Sequence, residues 1–157
     1  MNTGTIVLLI VVALIVLIGV YIGATYNKLV KSKNSVEEAF STMDVYLKKR
    51  WDLIPNIVAS VKGYAKHEAE TLEKVISARN NGYSSMNSQQ KLEANAELNT
   101  AIKSLNVVAE QYPELKANQN FMDLNAQLKK TEEDISNARK FYNAVVKQYN
   151  NPVEMFP

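Results

Sequence analysis

The 157-residue chain has no cysteine, which excludes disulfide frameworks, thiolate metal sites and cysteine nucleophiles together. Five glycines and four prolines are too few for a sandwich or barrel built on many tight turns. Ala, Leu, Lys, Glu, Gln and Asn are abundant instead, a composition that favours helices. The single histidine, His67, opens the segment His67-Glu68-Ala69-Glu70-Thr71. This begins like the HExxH helix of zinc proteases, but Thr71 stands where the second ligand is required, so catalytic zinc is not expected. A di-iron site in a bundle needs two Glu-x-x-His pairs, and Tyr64 occupies the position three before His67. Glycine-rich phosphate loops, nucleophile elbows and Ser/His/Asp sets are also absent. The chain is therefore not read as an enzyme, and no cofactor is expected. A net charge of +2, with lysines and carboxylates interleaved, argues against nucleic acid as a partner.

What the chain does have is a long apolar run. From Ile6 to Ala24 it reads IVLLIVVALIVLIGVYIGA, and no charged side chain occurs from Met1 to Asn27. About 20 such residues at a rise of about 1.5 Å span roughly 30 Å, the hydrocarbon thickness of a bilayer. Residues 6–25 are thus predicted to form a transmembrane helix. A cleavable signal peptide fits poorly: there is no basic n-region, the apolar run is too long, and Tyr21 and Ile22 sit where small residues belong. Lys28, Lys31 and Lys33 follow the span, whereas no charged side chain precedes it. The positive-inside rule then makes residues 1–5 a short extracytoplasmic N-terminus and places residues 26–157 in the cytoplasm of a cell-membrane protein. The same lysines are positioned to meet anionic lipid headgroups.

Beyond the span, Phe121, Leu124, Leu128, Thr131, Ile135, Ala138, Tyr142, Val145 and Tyr149 recur at steps of three and four. A long amphipathic helix is the regular structure that matches, with Asn118 or Asn120 as its cap and Pro152 just past its end. A second stripe runs through Leu92, Leu98, Ile102, Leu105, Ala109 and Tyr112, entered from the loop NNGYSSMNS and stopped by Pro113. The short turn PELKAN makes these two helices antiparallel neighbours. A third stripe, Val36, Phe40, Met43, Leu47, Ile54, Val58, Val61, Ala65, Leu72 and Val75, contains Pro55. A break there, capped by Asp52, yields four segments of similar length. A continuous phase through Pro55 is the signature of an unbroken or kinked helix. The length match favours the break. The expected fold is all-α: an N-terminal transmembrane helix plus an up-and-down, antiparallel four-helix bundle.

Arg50, Asp52 and Arg139 lie near the stripes, as do Asn27, Asn56, Asn143 and Asn150 beside apolar neighbours. They suit either a buried polar network that sets helix register or contacts with a partner. Glu132, Glu133 and Asp134 are adjacent on a helix and so diverge, which suits a solvated face better than an acid/base pair. Gly19 and Gly23 form a small-xxx-small pair through which two membrane helices can approach closely. Together with Trp51, which one small bundle need not cover, they are the candidate contacts of a homo-oligomer.

These residues carry a resemblance to the LemA family of bacterial membrane proteins. The matching stretches are Tyr26-Asn27-Lys28-Leu29-Val30, the run from Val36 through Asp44-Val45 and Leu47 to Arg50, DLIPNIVASVKGYAKHE from Asp52 to Glu68, and Ala78-Arg79. They continue with AEQYPELKANQNF from Ala109 to Phe121, Thr131-Glu132, Ala138-Arg139, Tyr142-Asn143 and Tyr149-Asn150. The resemblance implies one membrane helix, a short outer tail and a cytoplasmic bundle, and it carries over no catalytic residue. It implies a scaffold or adaptor role in the bacterial envelope, with a membrane protease or another membrane protein as partner. Members usually continue past the Phe156-Pro157 equivalent with an apolar tail containing glycine and phenylalanine; the sequence here runs to Pro157. The competing functional reading is a pilin-like filament or coat subunit, which normally has a leader peptide and an acidic residue early in its apolar segment.

Overall fold

The computed structural model describes residues 2–65, 67–79 and 82–155. Lys66 of the DLIPNIVASVKGYAKHE segment, Asn80-Asn81 at the start of the polar loop, and Phe156-Pro157 lie outside the described residues. The elements are α1 (Thr3–Tyr64), α2 (Ala69–Ser77), a 3-10 turn (Tyr83–Ser85), α3 (Ser88–Gln111), α4 (Pro113–Lys116) and α5 (Gln119–Glu154). The fold is all-α, with no strand among the described residues.

The expected break at Pro55 does not occur. Helix α1 is continuous for 62 residues with Pro55 inside it, and the chain leaves it only after Tyr64, with α2 resuming at Ala69. A proline inside a helix costs about 3 kcal/mol. Against that, Met43, Leu47, Trp51, Ile54, Ile57, Val58 and Val61 are all buried on one face of α1, on both sides of the proline. Full burial of each large apolar side chain contributes about 1.5–3 kcal/mol, so preserving the phase outweighs one lost hydrogen bond. Asp52 is consequently no cap; it lies mid-helix in an ion pair with Lys48. The four segments of similar length are replaced by α1, α3 and α5, all long, and a nine-residue α2.

The helix starts follow side-chain chemistry. Asn87 caps α3 in a reciprocal box: its Oδ1 accepts from Gln90 N (2.9 Å), and Asn87 N donates to Gln90 Oε1 (2.9 Å). At the start of α5 the cap is Asn118, whose Oδ1 accepts from Phe121 N (3.0 Å). The PELKAN turn holds the four-residue α4, with Pro113 in its first turn, where proline's missing N–H costs nothing. Pro152, expected past the end of α5, is inside it.

The chain divides into two compact units, one drawn from Met1–Ala39 and Phe141–Pro157, the other from Phe40–Lys140. In the second unit the predicted stripes are the core: Met43, Ile54, Val61, Val75, Leu98, Leu105, Phe121, Leu128 and Ile135 are buried, joined by Leu115 of the PELKAN turn. In the first unit Val145 is buried and Val36, Tyr142 and Tyr149 are half-buried.

Candidate functional site

Two features stand apart from core packing. The first is the N-terminal part of α1. From Ile6 to Ile22 its large apolar side chains are 42% to 65% exposed, and this is the one stretch of the described residues long and apolar enough to cross a membrane. An uncovered apolar surface of that extent is unfavourable in water and is matched by lipid. Lys28, Lys31 and Lys33 are all exposed beyond it, and Lys33 Nζ lies 3.7 Å from Glu37 Oε1. Around Gly19 and Gly23 an added Cβ would meet nothing within 4 Å, so this unit makes no use of the small pair and leaves it open.

Trp51 is placed differently from the expectation. It is 5% exposed and stacks at a tilt on Tyr83, with ring centroids 5.3 Å apart. It completes the core of the Phe40–Lys140 unit and offers no surface to a second copy.

The second feature is a polar cluster around Trp51 and Tyr83, where α1, the 3-10 turn and α3 meet. Tyr83 Oη donates a short hydrogen bond to Asp44 Oδ1, and Lys91 Nζ donates to Asp44 Oδ2 at 2.6 Å. Lys91 Nζ also sits 4.9 Å from the centre of the Tyr83 ring, a cation–π arrangement. Burial pushes the Tyr83 hydroxyl well above the ordinary phenol value, and its bond to Asp44 and the charges of Asp44 and Asp52 add to this. Further along α1, Arg50 is 2% exposed; its Nη1 donates to Asn95 Oδ1 (3.1 Å) and its Nη2 to Asn99 Oδ1 (2.8 Å). The Nε of Arg50 is buried without a hydrogen-bond partner. Desolvation lowers the Arg50 pKa, the charge of Glu132 raises it, and Arg139 lowers it. Arg79 Nε donates to the Trp51 backbone oxygen (3.2 Å).

Of the polar residues picked out in the sequence, Arg50 does belong to a buried network. Asp52, Asn56, Asn143, Asn150 and Arg139 are exposed, as are Glu132 and Glu133. Sequence reasoning missed Asp44, Arg79, Tyr83, Lys91, Asn95 and Asn99. A signal existed for Asn95, which falls between Ala94 and Leu98 on the buried side of α3. Tyr83 was the one aromatic residue of the loop NNGYSSMNS.

Chemically, the cluster holds helices together. Asp44 accepts from both Tyr83 and Lys91, and the Arg50 guanidinium is spent on two amide oxygens. Between them the two groups join α1 to the 3-10 turn and α3. His67 is exposed, and among the described residues there is no group of three or more His, Asp or Glu placed to hold a metal.

A sequence model of the LemA family matches residues 39–157. The chain is also 25% identical over 138 residues to a protein called Protein LemA from Metamycoplasma hominis, a match that covers 87% of this chain and 63% of that protein. It thus spans less than two thirds of the length of that curated relative.

Proposed function

Because the chain belongs to the LemA family and carries an uncovered apolar helix, we propose that it is a single-pass membrane scaffold that self-associates and engages other membrane proteins. The observation that carries this reading is the form of α1. In one unit α1 exposes an apolar segment long enough to cross a membrane; in the other its residues from Met43 to Val61 build a buried core. Residues 6–25 cross the membrane in this reading. Residues 1–5 lie outside, and the lysines after the span hold residues 26–157 in the cytoplasm as an up-and-down bundle whose short member is α2. Gly19 and Gly23 supply the self-contact, supported by the open space over both. Trp51 is not part of it, being buried.

The absence of cysteine allows a clean test by in-membrane crosslinking. Single cysteines at Val16, Gly19, Val20 and Gly23 are oxidised in native membranes, and the products are identified by mass spectrometry. Self-crosslinks that peak at Gly19 and Gly23, together with membrane proteins captured by a photo-crosslinker on the domain, are the expected result. A uniform absence of self-crosslinks overturns the self-association. A photo-crosslinked ladder of self-products with no other protein captured favours the filament reading instead.

A further inference from the structure

The end of the span is not a bare helix. In the first unit, Tyr21, Ala24, Thr25, Lys28 and Leu29 of α1, Pro152 of α5 and Met155 just past it enclose a groove of about 600 Å³. Its volume is that of a small-molecule site. Its surface is mostly apolar, and Lys28 is its one charged lining residue. Glu154, the nearest carboxylate in the chain on the α5 side, is exposed and outside the lining.

We propose that this groove holds one anionic phospholipid, with the phosphate on Lys28 and an acyl chain along Tyr21, Ala24 and Met155. The inference rests on the reading that residues 6–25 cross the membrane, and its argument is one of depth. With Thr25 at the hydrocarbon boundary and about 1.5 Å of rise per residue, Tyr21 lies about 6 Å inside the apolar layer and Lys28 about 5 Å outside it. The headgroup layer is roughly 5–8 Å thick on each side, so Lys28 stands at phosphate level and the floor of the groove at acyl level. A groove with one wall formed by the span itself is bathed by lipid, which names its occupant. Lys31, three residues on, shares the face of Lys28 and reinforces its charge, whereas Lys33 points elsewhere on the helix. The residues at and just past the end of α5 fit the same depth: Val153 is 56% and Met155 70% exposed, and on α1 Tyr26 is 67% exposed. Such side chains suit an interfacial layer better than water.

The test uses the full chain in detergent with equimolar phosphatidylglycerol and phosphatidylcholine, counting retained lipids by native mass spectrometry. Flotation of the same protein with phosphatidylglycerol vesicles is run in parallel. The expected result is one retained phosphatidylglycerol per chain. Lys28→Ala is expected to lower its retention about fivefold, the loss of one lysine at an anionic surface, while Lys33→Ala changes it less than about twofold. Ala24→Trp, which fills the groove without removing a charge, should release the retained phosphatidylglycerol. Equal losses from Lys28→Ala and Lys33→Ala overturn the site in favour of diffuse attraction, and so does full retention in Ala24→Trp. A chain that floats but retains no lipid overturns the groove alone. A chain that does not float overturns the membrane reading beneath it.

Discussion

The side chain of Arg79 donates its Nε–H to the backbone oxygen of Trp51 at 3.2 Å, the acceptor that Pro55 leaves without its helical partner. In an unbroken helix that carbonyl accepts from the N–H four residues on. Residue 55 is proline and has none, so a residue 28 positions away fills the vacancy.

This relationship predicts a coupling. Arg79→Ala in the full chain is expected to lower stability by about 1 kcal/mol, the cost of losing the bond to a half-buried acceptor. Pro55→Ala restores the local N–H, so in that background Arg79→Ala is expected to cost clearly less. A double-mutant cycle followed by helical circular dichroism during thermal unfolding measures the difference. Additive effects would mean that Arg79 stabilises α1 by some other route.

The stripe on α5 makes a simpler prediction. Leu128 and Ile135 are each 5% exposed, and truncating either to Ala is expected to cost about 2–5 kcal/mol. The exposed neighbours Lys129 and Glu133 should tolerate Ala within about 0.5 kcal/mol. Denaturant midpoints of the detergent-solubilised chain separate the two classes.

Tyr83 makes stability depend on pH in the alkaline range. Its pKa is raised in the folded state, first by burial and then by Asp44, from an ordinary value of 10.0. The protonated phenol is therefore favoured by folding. Its contribution is fully present below about pH 10, where both states keep the proton, and is lost progressively as pH rises from there towards the higher folded value. The comparison with Tyr83→Phe isolates this group from other titrations. The variant should be less stable than the parent at pH 8, by about 1 kcal/mol for the lost hydrogen bond. The parent's advantage should shrink by up to about 1.4 kcal/mol per pH unit above pH 10. A gap that does not change between pH 8 and pH 11 contradicts the assignment.

The orientation proposed from Lys28, Lys31 and Lys33 can be read directly, because any introduced cysteine is the only one in the chain. Thr3→Cys is expected to react with a membrane-impermeant maleimide in intact cells, and Ser88→Cys only after lysis. The reverse pattern places the domain outside.

Much was already determined by the residues taken in order. The membrane-long apolar run and the three stripes are local periodicities, and a helix converts period directly into a face. Phe121, Leu124, Leu128, Thr131, Ile135 and Ala138 are buried because no other regular structure brings residues at steps of three and four to one side. Tertiary structure decided two other matters. It decided the fate of Pro55, because a local preference of a few kcal/mol yields to burial on both sides of the proline, a quantity no window of sequence contains. It also decided which polar groups meet: Arg50 with Asn95 and Asn99, 45 and 49 residues away, and Lys91 with Asp44, 47 residues away. Periodicity says which side of a helix is covered but not which residue covers it. The partner of a buried charge is set by how the helices stack, and so the Asn, Tyr and Lys residues of the cluster were visible in the sequence while their roles were not.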